Sequence, residues 1–393
     1  MKKKILSLVL VVAMITSLAS CGSANGGSTS KGSAAPDNGS SDKGSDSGTF
    51  VIGGIGPLTK DAAVYGTSVK QGAEVAVKEI NDAGGIKVGD KTLKVELQFE
   101  DDEASAEKSP NAYNALADKA NVIMGAVTSD ACIAITDLTK QDNMLQITPS
   151  GSAQECTKND NNFRLCFTDP LQGKTMAKLA VSDLNYKKVA VIFNNSDPYS
   201  SGMKDAFVEE VKNLGGEVVA EEGFNANDVD FNTQLTKIKS TDAQCIFVPS
   251  YYKEAGLITT QAAAKGIKLP FLGGDGWDGV IDQVQDKAVL EGAIFLSPFL
   301  SSNPDEKIQK FVKAYEAAYK ATPDQFAADG YDTVYTFKAA VEKAGSIDSS
   351  EMIKAMTEIT VEGVTGTMTF TADGEPNKEA QFVVIKDGKY TAK

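Results

Sequence analysis

Short apolar runs rich in β-branched residues alternate with amphipathic stretches along most of the chain. TFVIGGIG reads as a strand. SVKQGAEVAVKEINDAGG then places apolar residues at helical spacing before an Ala-Gly-Gly ending that signals a helix C-cap. KTLKVELQFED alternates as the next strand. A helix over 109–119, the strand ANVIMGAV, a helix over 129–143 and the strand MLQITPS complete a doubly wound unit. A second array repeats the rhythm: a helix over 171–184, KKVAVIFNN, a helix over 201–214, GEVVAEEGF, a helix through LTKIKS, AQCIFVPSYY, a helix over 254–265 and KLPFLGGDG. Two such arrays, joined near 167–173 and again near 295–300, predict two similar α/β lobes with a cleft between them. Ligands of such sheets sit beyond the carboxyl ends of the strands, so the loops after the strands carry the candidate chemistry.

The beginning of the chain departs from this rhythm. MKKKILSLVLVVAMITSLASCGS has three lysines, an apolar run from Ile5 to Leu18 and small residues before Cys21, the pattern of a signal peptide; the run is too short for a good spanning helix. Leu18-Ala19-Ser20-Cys21 resembles the bacterial lipobox, whose cysteine is lipidated on sulfur and becomes the first mature residue. Plain cleavage beside a chance cysteine is the alternative. Residues 22–48 contain no aromatic or large aliphatic residue and cannot bury enough apolar surface to order themselves. They read as a flexible tether with a reach of roughly 30 Å.

The body from Thr49 to Lys393 is longer than one hydrophobic core usually serves, which agrees with two lobes. The whole chain has 39 basic and 53 acidic residues; without the three leader lysines the balance is −17, which argues against nucleic acid or anionic lipid as partners. Histidine is absent from the sequence, and with it Ser-His-Asp and Cys-His catalysis, HExxH zinc sites and imidazole-based metal centres. Besides Cys21 there are Cys132, Cys156, Cys166 and Cys245, which allow three pairings. Cys156 and Cys166 are close enough in sequence to close a small disulfide loop in an exported protein; two buried free thiols are the alternative.

Several motifs carry candidate chemistry. FLGGDGWDG contains GxGxxG at Gly274, Gly276 and Gly279, but a dinucleotide fingerprint belongs to the first βα turn, and Asp275 would set a negative charge beside a pyrophosphate. The glycines instead suit a sharp turn that presents Asp275. QGKT, from Gln172, has Thr168 where a phosphate loop needs glycine, and reads as an ordinary helix start. DVDFNTQ, from Asp228, begins like a calcium loop but has Thr233 at position six and Lys239 at position twelve; it reads as a helix cap. GAVTSDACIAITD and TPSGSAQE place Ser129, Ser150 and Ser152 in two hydroxyl-rich loops after neighbouring strands. Simple capping explains them, and so does a shared site for a carboxylate. Arg164, the single arginine, lies in the strand-like NFRLCF and reads as a structural anchor. SYYKEAG ends a buried strand with Tyr251 and Tyr252, which suit either packing or a cleft wall.

Taken together, GPLTKDAAVYGTSVKQGAEVAVKEINDAGGI, VELQFEDDEA, FRLCFTDPLQG, AVIFNNSDPYSSGM, IFVPSYYKEAG and FLGGDGWDG resemble, in order, the successive blocks of the branched-chain amino acid substrate-binding proteins of ABC importers. The resemblance implies the type I periplasmic-binding-protein fold, two Rossmann-like lobes with mostly parallel central sheets and a three-segment hinge. It divides the chain into a signal peptide (1–20), a lipidated Cys21 with its tether (21–48), lobe 1 (49–169 and 299–377) and lobe 2 (170–298 and 378–393). It implies that Ser129, Ser150 and Ser152 receive a ligand carboxylate, with Ser150 and Ser152 also meeting the ammonium. Tyr251 and Asp275 would hold the ammonium, Tyr65 would shape the side-chain pocket, and Tyr199 is a further cleft residue. The prototype acid is glutamate, one methylene longer than Asp275, and Tyr65 brings a hydroxyl to its position; both bear on pocket size. The implied function is capture of an amino acid, branched-chain or otherwise aliphatic, and delivery to an ABC permease by a monomeric binder. That binder would be no enzyme, need no cofactor and be held outside the cytoplasm by a lipid on Cys21. The rivals are the same fold binding an amide, polyol or aromatic acid for uptake or sensing, and an exported NAD-dependent oxidoreductase.

Overall fold

The structure, a computed structural model, describes residues 48–393; the leader, Cys21 and the tether lie outside the described residues. Six strands form the first sheet: β1 (Thr49–Gly56), β2 (Ile86–Val88), β3 (Lys91–Asp101), β4 (Val122–Met124), β5 (Gln146–Thr148) and β6 (Asn162–Arg164), in the order β2-β3-β1-β4-β5-β6. β3, β1, β4, β5 and β6 run parallel, and β2 is an antiparallel edge. Helices α1 (Ala63–Asp82), α2 (Ser109–Leu116) and α3 (Ser129–Gln141) connect them.

In the second sheet β7 (Lys188–Asn194), β8 (Glu217–Phe224), β9 (Cys245–Val248), β10 (Phe271–Gly273) and β11 (Ile294–Ser297) are parallel, with α4 (Asp169–Lys178), α5 (Pro198–Asn213), α6 (Asn232–Lys239) and α7 (Tyr252–Ala264) around them. The chain then returns to the first lobe as α8 (Glu306–Tyr319), α9 (Gln325–Ala344), α10 (Ser349–Met356) and the hairpin β12 (Thr360–Gly363) and β13 (Gly366–Thr369). It ends as β14 (Gln381–Lys386) and β15 (Lys389–Ala392), antiparallel strands on the edge beyond β11. Three segments therefore pass between the sheets: after β6, after β11 and before β14.

Burial explains the short strands. VIM of β4, QIT of β5 and CIFV of β9 are buried throughout, as central parallel strands covered on both faces must be. Ile55, Tyr113, Leu116, Ile123 and Ile135 fill one face of the first sheet. On the other face α1 and α9 cross closely. A Cβ on Gly72 would lie 1.8 Å from Ala327 O, so glycine is required there. In the second lobe Met176, Met203 and Phe207 of α4 and α5 pack on Val189, Val191 and Phe247.

The four cysteines 132, 156, 166 and 245 are buried free thiols. The pairing of Cys156 with Cys166 is thereby replaced by its alternative. Cys156 turns toward α3, its Sγ 3.7 Å from Ser129 O, and its thiol neighbour there is Cys132. Cys166 lies beyond β6, at the start of the first inter-lobe segment. The DVDFNTQ stretch leads into α6, where Phe231 holds the N-cap position without a side-chain capping bond and Asp230, just before it, accepts the Asn232 N–H on Oδ1 at 2.9 Å.

Candidate functional site

The loops after β4 and β5 meet as a single unit. α3 starts at Ser129 after Thr128, whose extended backbone makes no side-chain capping bond, so the first-turn amides of the helix are left for another acceptor. Ser129 Oγ accepts the N–H groups of Ser152 and Ala153, both at 3.1 Å, and its own proton remains free to donate. Ser150 Oγ donates to Val127 O at 2.7 Å. Behind this unit Arg164, wholly buried, donates to Gly151 O at 2.9 Å and Gln154 O at 3.2 Å, and pairs with Glu375 at 2.9 Å. The lone arginine is thus an anchor for the hydroxyl loops.

The second lobe brings Asp275. The FLG strand, β10, ends at Gly273, and Asp275–Trp277 form one tight helical turn. Asp275 is 5% exposed. Its Oδ1 accepts from Gln172 Nε2 (3.0 Å), the Tyr199 hydroxyl (2.9 Å) and the Gly276 N–H (2.9 Å). No protein donor is bonded to Oδ2 among the described residues, which keeps that oxygen for a ligand. Burial pushes the carboxyl up to about 6, and the bonds from Gln172 and Tyr199 restrain the rise. Gly276 is required by close approach, since a Cβ there would lie 2.7 Å from the Tyr199 hydroxyl. The glycine pattern of FLGGDGWDG thus serves to seat Asp275 against Tyr199.

Aromatic rings complete the enclosure. Tyr199 and Tyr251 stack with centroids 4.8 Å apart, Tyr251 meets Tyr65 edge-on at 5.6 Å, and Tyr65 lies 4.2 Å from Phe326. The Tyr65 hydroxyl crosses the cleft, donating to Gly276 O at 2.6 Å and accepting the Tyr252 N–H at 3.0 Å. The lobes are therefore shut. Between them lies a narrow, partly open cavity with about 230 Å³ of atom-free space, of which only about 10 Å³ admits the centre of a water molecule.

Tyr65, Ser129, Ser150, Tyr199, Tyr251 and Asp275 all line this cavity, together with Val127, Thr128, Gly276 and Phe326. Ser152 stands behind the wall. Its amide serves Ser129, and its hydroxyl faces Asp169, a wholly buried carboxyl that burial raises well above the usual range. Sequence reading did not single out Gln172 or Phe326. QGKT lacks the glycine of a phosphate loop and reads as a helix start, yet Gln172 is the side chain that orients Asp275. Phe326 lies on a helix far along the chain, and no local motif marks it.

The arrangement offers hydroxyls and helix amides on one side, a buried carboxylate on the other and rings between, which suits a small zwitterion with an apolar side chain. Residues 49–389 match the periplasmic binding protein family. The chain is 32% identical to the Leu/Ile/Val-binding protein homolog 3 of Brucella melitensis, over 86% of its length and 92% of that relative. It is 28% identical to the leucine-, isoleucine-, valine-, threonine- and alanine-binding protein of Pseudomonas aeruginosa, over 81% and 85% of the two chains. The branched-chain amino acid transporter substrate binding protein of Streptococcus pneumoniae, solved with isoleucine, superposes with a TM-score of 0.81 at 34% identity, covering 88% of this chain and 98% of that one. Fold, cleft and sequence agree, and the chain belongs to the periplasmic binding proteins, among relatives that bind leucine, isoleucine and valine.

Proposed function

We propose that the protein captures a branched-chain or other aliphatic L-amino acid by closure of its two lobes and hands it to an ABC permease. The observation that carries this reading is Asp275, a buried carboxylate with one oxygen uncommitted, facing the Ser129 and Ser150 loops across a cavity walled by aromatic rings. The ligand carboxylate is taken by the Ser129 hydroxyl and the first amides of α3, and the ammonium by Asp275 with Tyr251 beside it. An ammonium leaving water needs a counterion as well as acceptors, and Asp275 supplies the charge. Tyr65, Val127 and Phe326 surround the side chain. Cys21 carries a lipid that holds the body outside the membrane on its tether; no helix among the described residues is long and apolar enough to cross a membrane.

Thermal shift against a panel of amino acids, amides, polyols and aromatic acids tests the reading, because a ligand that binds only the folded state raises the melting temperature. Stabilisation by leucine, isoleucine or valine is the expected result. Stabilisation by the other classes alone overturns it. Mass spectrometry of the small molecule that copurifies names the natural ligand, and of the mature amino terminus tests the lipid.

A further inference from the structure

The turn that presents Asp275 ends in a second buried acid. Asp278 donates its N–H to Asp275 O at 3.1 Å, and its own Oδ2 accepts the N–H of Gln325 at 3.0 Å. Gln325 is the first residue of α9, on the opposite lobe, and its Nε2 reaches back to Asp275 O at 2.5 Å. The residue before it, Asp324, caps α9, with Oδ1 accepting from Ala327 N at 2.8 Å and Oδ2 from the Ser68 hydroxyl at 2.6 Å. Two carboxyl groups from opposite lobes thus flank one peptide unit at the point where the lobes clamp the Asp275 turn.

We propose that Asp278, set beside Asp324 across the closed cleft, is a positioning residue that takes up one proton as the lobes meet, and that the neutral acid holds the Asp275 turn for ligand capture. The proposal rests on the reading of the protein as an amino-acid binder that closes on its ligand. Asp278 is buried and Asp324 half-buried at the two ends of one peptide unit, and two carboxylates so placed do not readily both stay ionised. Burial and the negative field of Asp324, with a smaller push from Asp275, raise Asp278 to about 8. The other groups facing the pair are Asp282, Lys389 and Tyr390 around the adjoining cavity, and Tyr315 and Ser68 beside Asp324. Lys389 forms no ion pair with either acid among the described contacts. When the lobes part, Asp278 loses Asp324 and regains water, and falls back toward the ordinary carboxylate range. A carboxyl raised in the closed state favours closure in full only below its ordinary value of 3.8; that contribution drains away as pH rises from there and is gone above about 8.

Leucine binding to the mature chain is measured by calorimetry near pH 7 in phosphate and in Tris, whose different ionisation enthalpies count the protons exchanged, and the affinity is then followed to alkaline pH. The wild type takes up about one proton more than Asp278→Asn and a smaller excess over Asp324→Asn, in which burial still raises Asp278; its affinity falls by up to about tenfold per unit as pH rises toward 8, beyond any fall in Asp278→Asn, and levels off above 8. Deprotonation of the ligand amine is common to all three proteins and cancels in the comparison. A merely structural role would lower affinity at every pH and leave proton uptake unchanged. Equal uptake in the wild type and in whichever variant folds overturns the pair while leaving the binding function standing. Failure of leucine to bind the wild type overturns both.

Discussion

Replacing Asp275 by asparagine separates its role in binding from its role in folding. The change is nearly isosteric, and an amide oxygen at the Oδ1 position keeps the bonds from Gln172 Nε2, the Tyr199 hydroxyl and Gly276 N. What is lost is the negative charge, and the amide nitrogen then turns two hydrogens toward the ligand ammonium. Removing one partner from a buried ion pair costs about 3–5 kcal/mol, or roughly two to four orders of magnitude in affinity. The ligand-free protein responds in the opposite direction. Its Asp275 carboxyl stands at about 6, above the ordinary 3.8. Keeping it ionised at neutral pH therefore costs the closed fold about 3 kcal/mol, which asparagine relieves. Without ligand the variant should melt a few degrees above the wild type, and with saturating leucine below it. Calorimetry and paired melting curves give both readings. Leucine affinity within about threefold of wild type would refute the ammonium assignment, and a variant that melts much lower without ligand would mark Asp275 as structural. As a further control, the 2-hydroxy analogue of leucine, which lacks the ammonium, should lose far less affinity than leucine itself.

Three other outcomes follow from the same contacts. Tyr65→Phe leaves Gly276 O and the Tyr252 N–H unpaired in the closed state, each able to cost about 1–3 kcal/mol; dissociation measured by stopped flow should quicken by roughly one and a half to four orders of magnitude, and an unchanged rate would show that this bridge does not hold the cleft shut. In the shut, empty cleft Asp275 stands near 6, and the ligand ammonium lowers it, so binding to that form below this pH must expel a proton. Leucine affinity should then fall by up to about tenfold per unit as pH drops through 6, and a flat profile from pH 7 to 5 counts against Asp275. Arg164→Met strips the donor from Gly151 O, Gln154 O and Glu375, for about 3 kcal/mol or more of stability; a melting temperature within a degree of wild type would deny the anchoring role.

The parts of the molecule legible in the sequence are those whose signal is local. β4 and β9 announce themselves as unbroken apolar runs, α1 by its period and Gly-Gly ending, and Asp275 by glycines that serve no phosphate. The residues that escaped are defined by partners far away in the chain. Gln172 matters because Asp275 lies 103 residues on, and Phe326 because α9 returns from the second lobe to lie on Tyr65. Cys156 and Cys166 looked like a loop because sequence separation was the only distance available. In the fold Cys156 turns instead toward Cys132 on α3. Ser152 had the right composition for a wall residue, but its amide is spent on Ser129 and its hydroxyl faces away, toward Asp169.

The division of the site between lobes also explains why an empty protein need not stay shut. A ligand moves the equilibrium between open and closed forms only by its difference in affinity for the two, and to turn 1:99 into 99:1 it must favour the closed form by about 5.5 kcal/mol. Contacts with Ser129 and α3 are available in the open form as well, so they add affinity without closing anything. The closing force must come from groups that reach the ligand or the other lobe only when the cleft is shut. Asp275 meets the ammonium of a ligand seated on the first lobe in that state alone. Its burial without a cation opposes closure by about 3 kcal/mol. The ammonium removes that penalty and adds the pair itself, so one charged group both resists empty closure and rewards occupied closure. Tyr65, bonded across the cleft to Gly276 O, acts in the same state but does not depend on the ligand, and sets how long the closed form lasts.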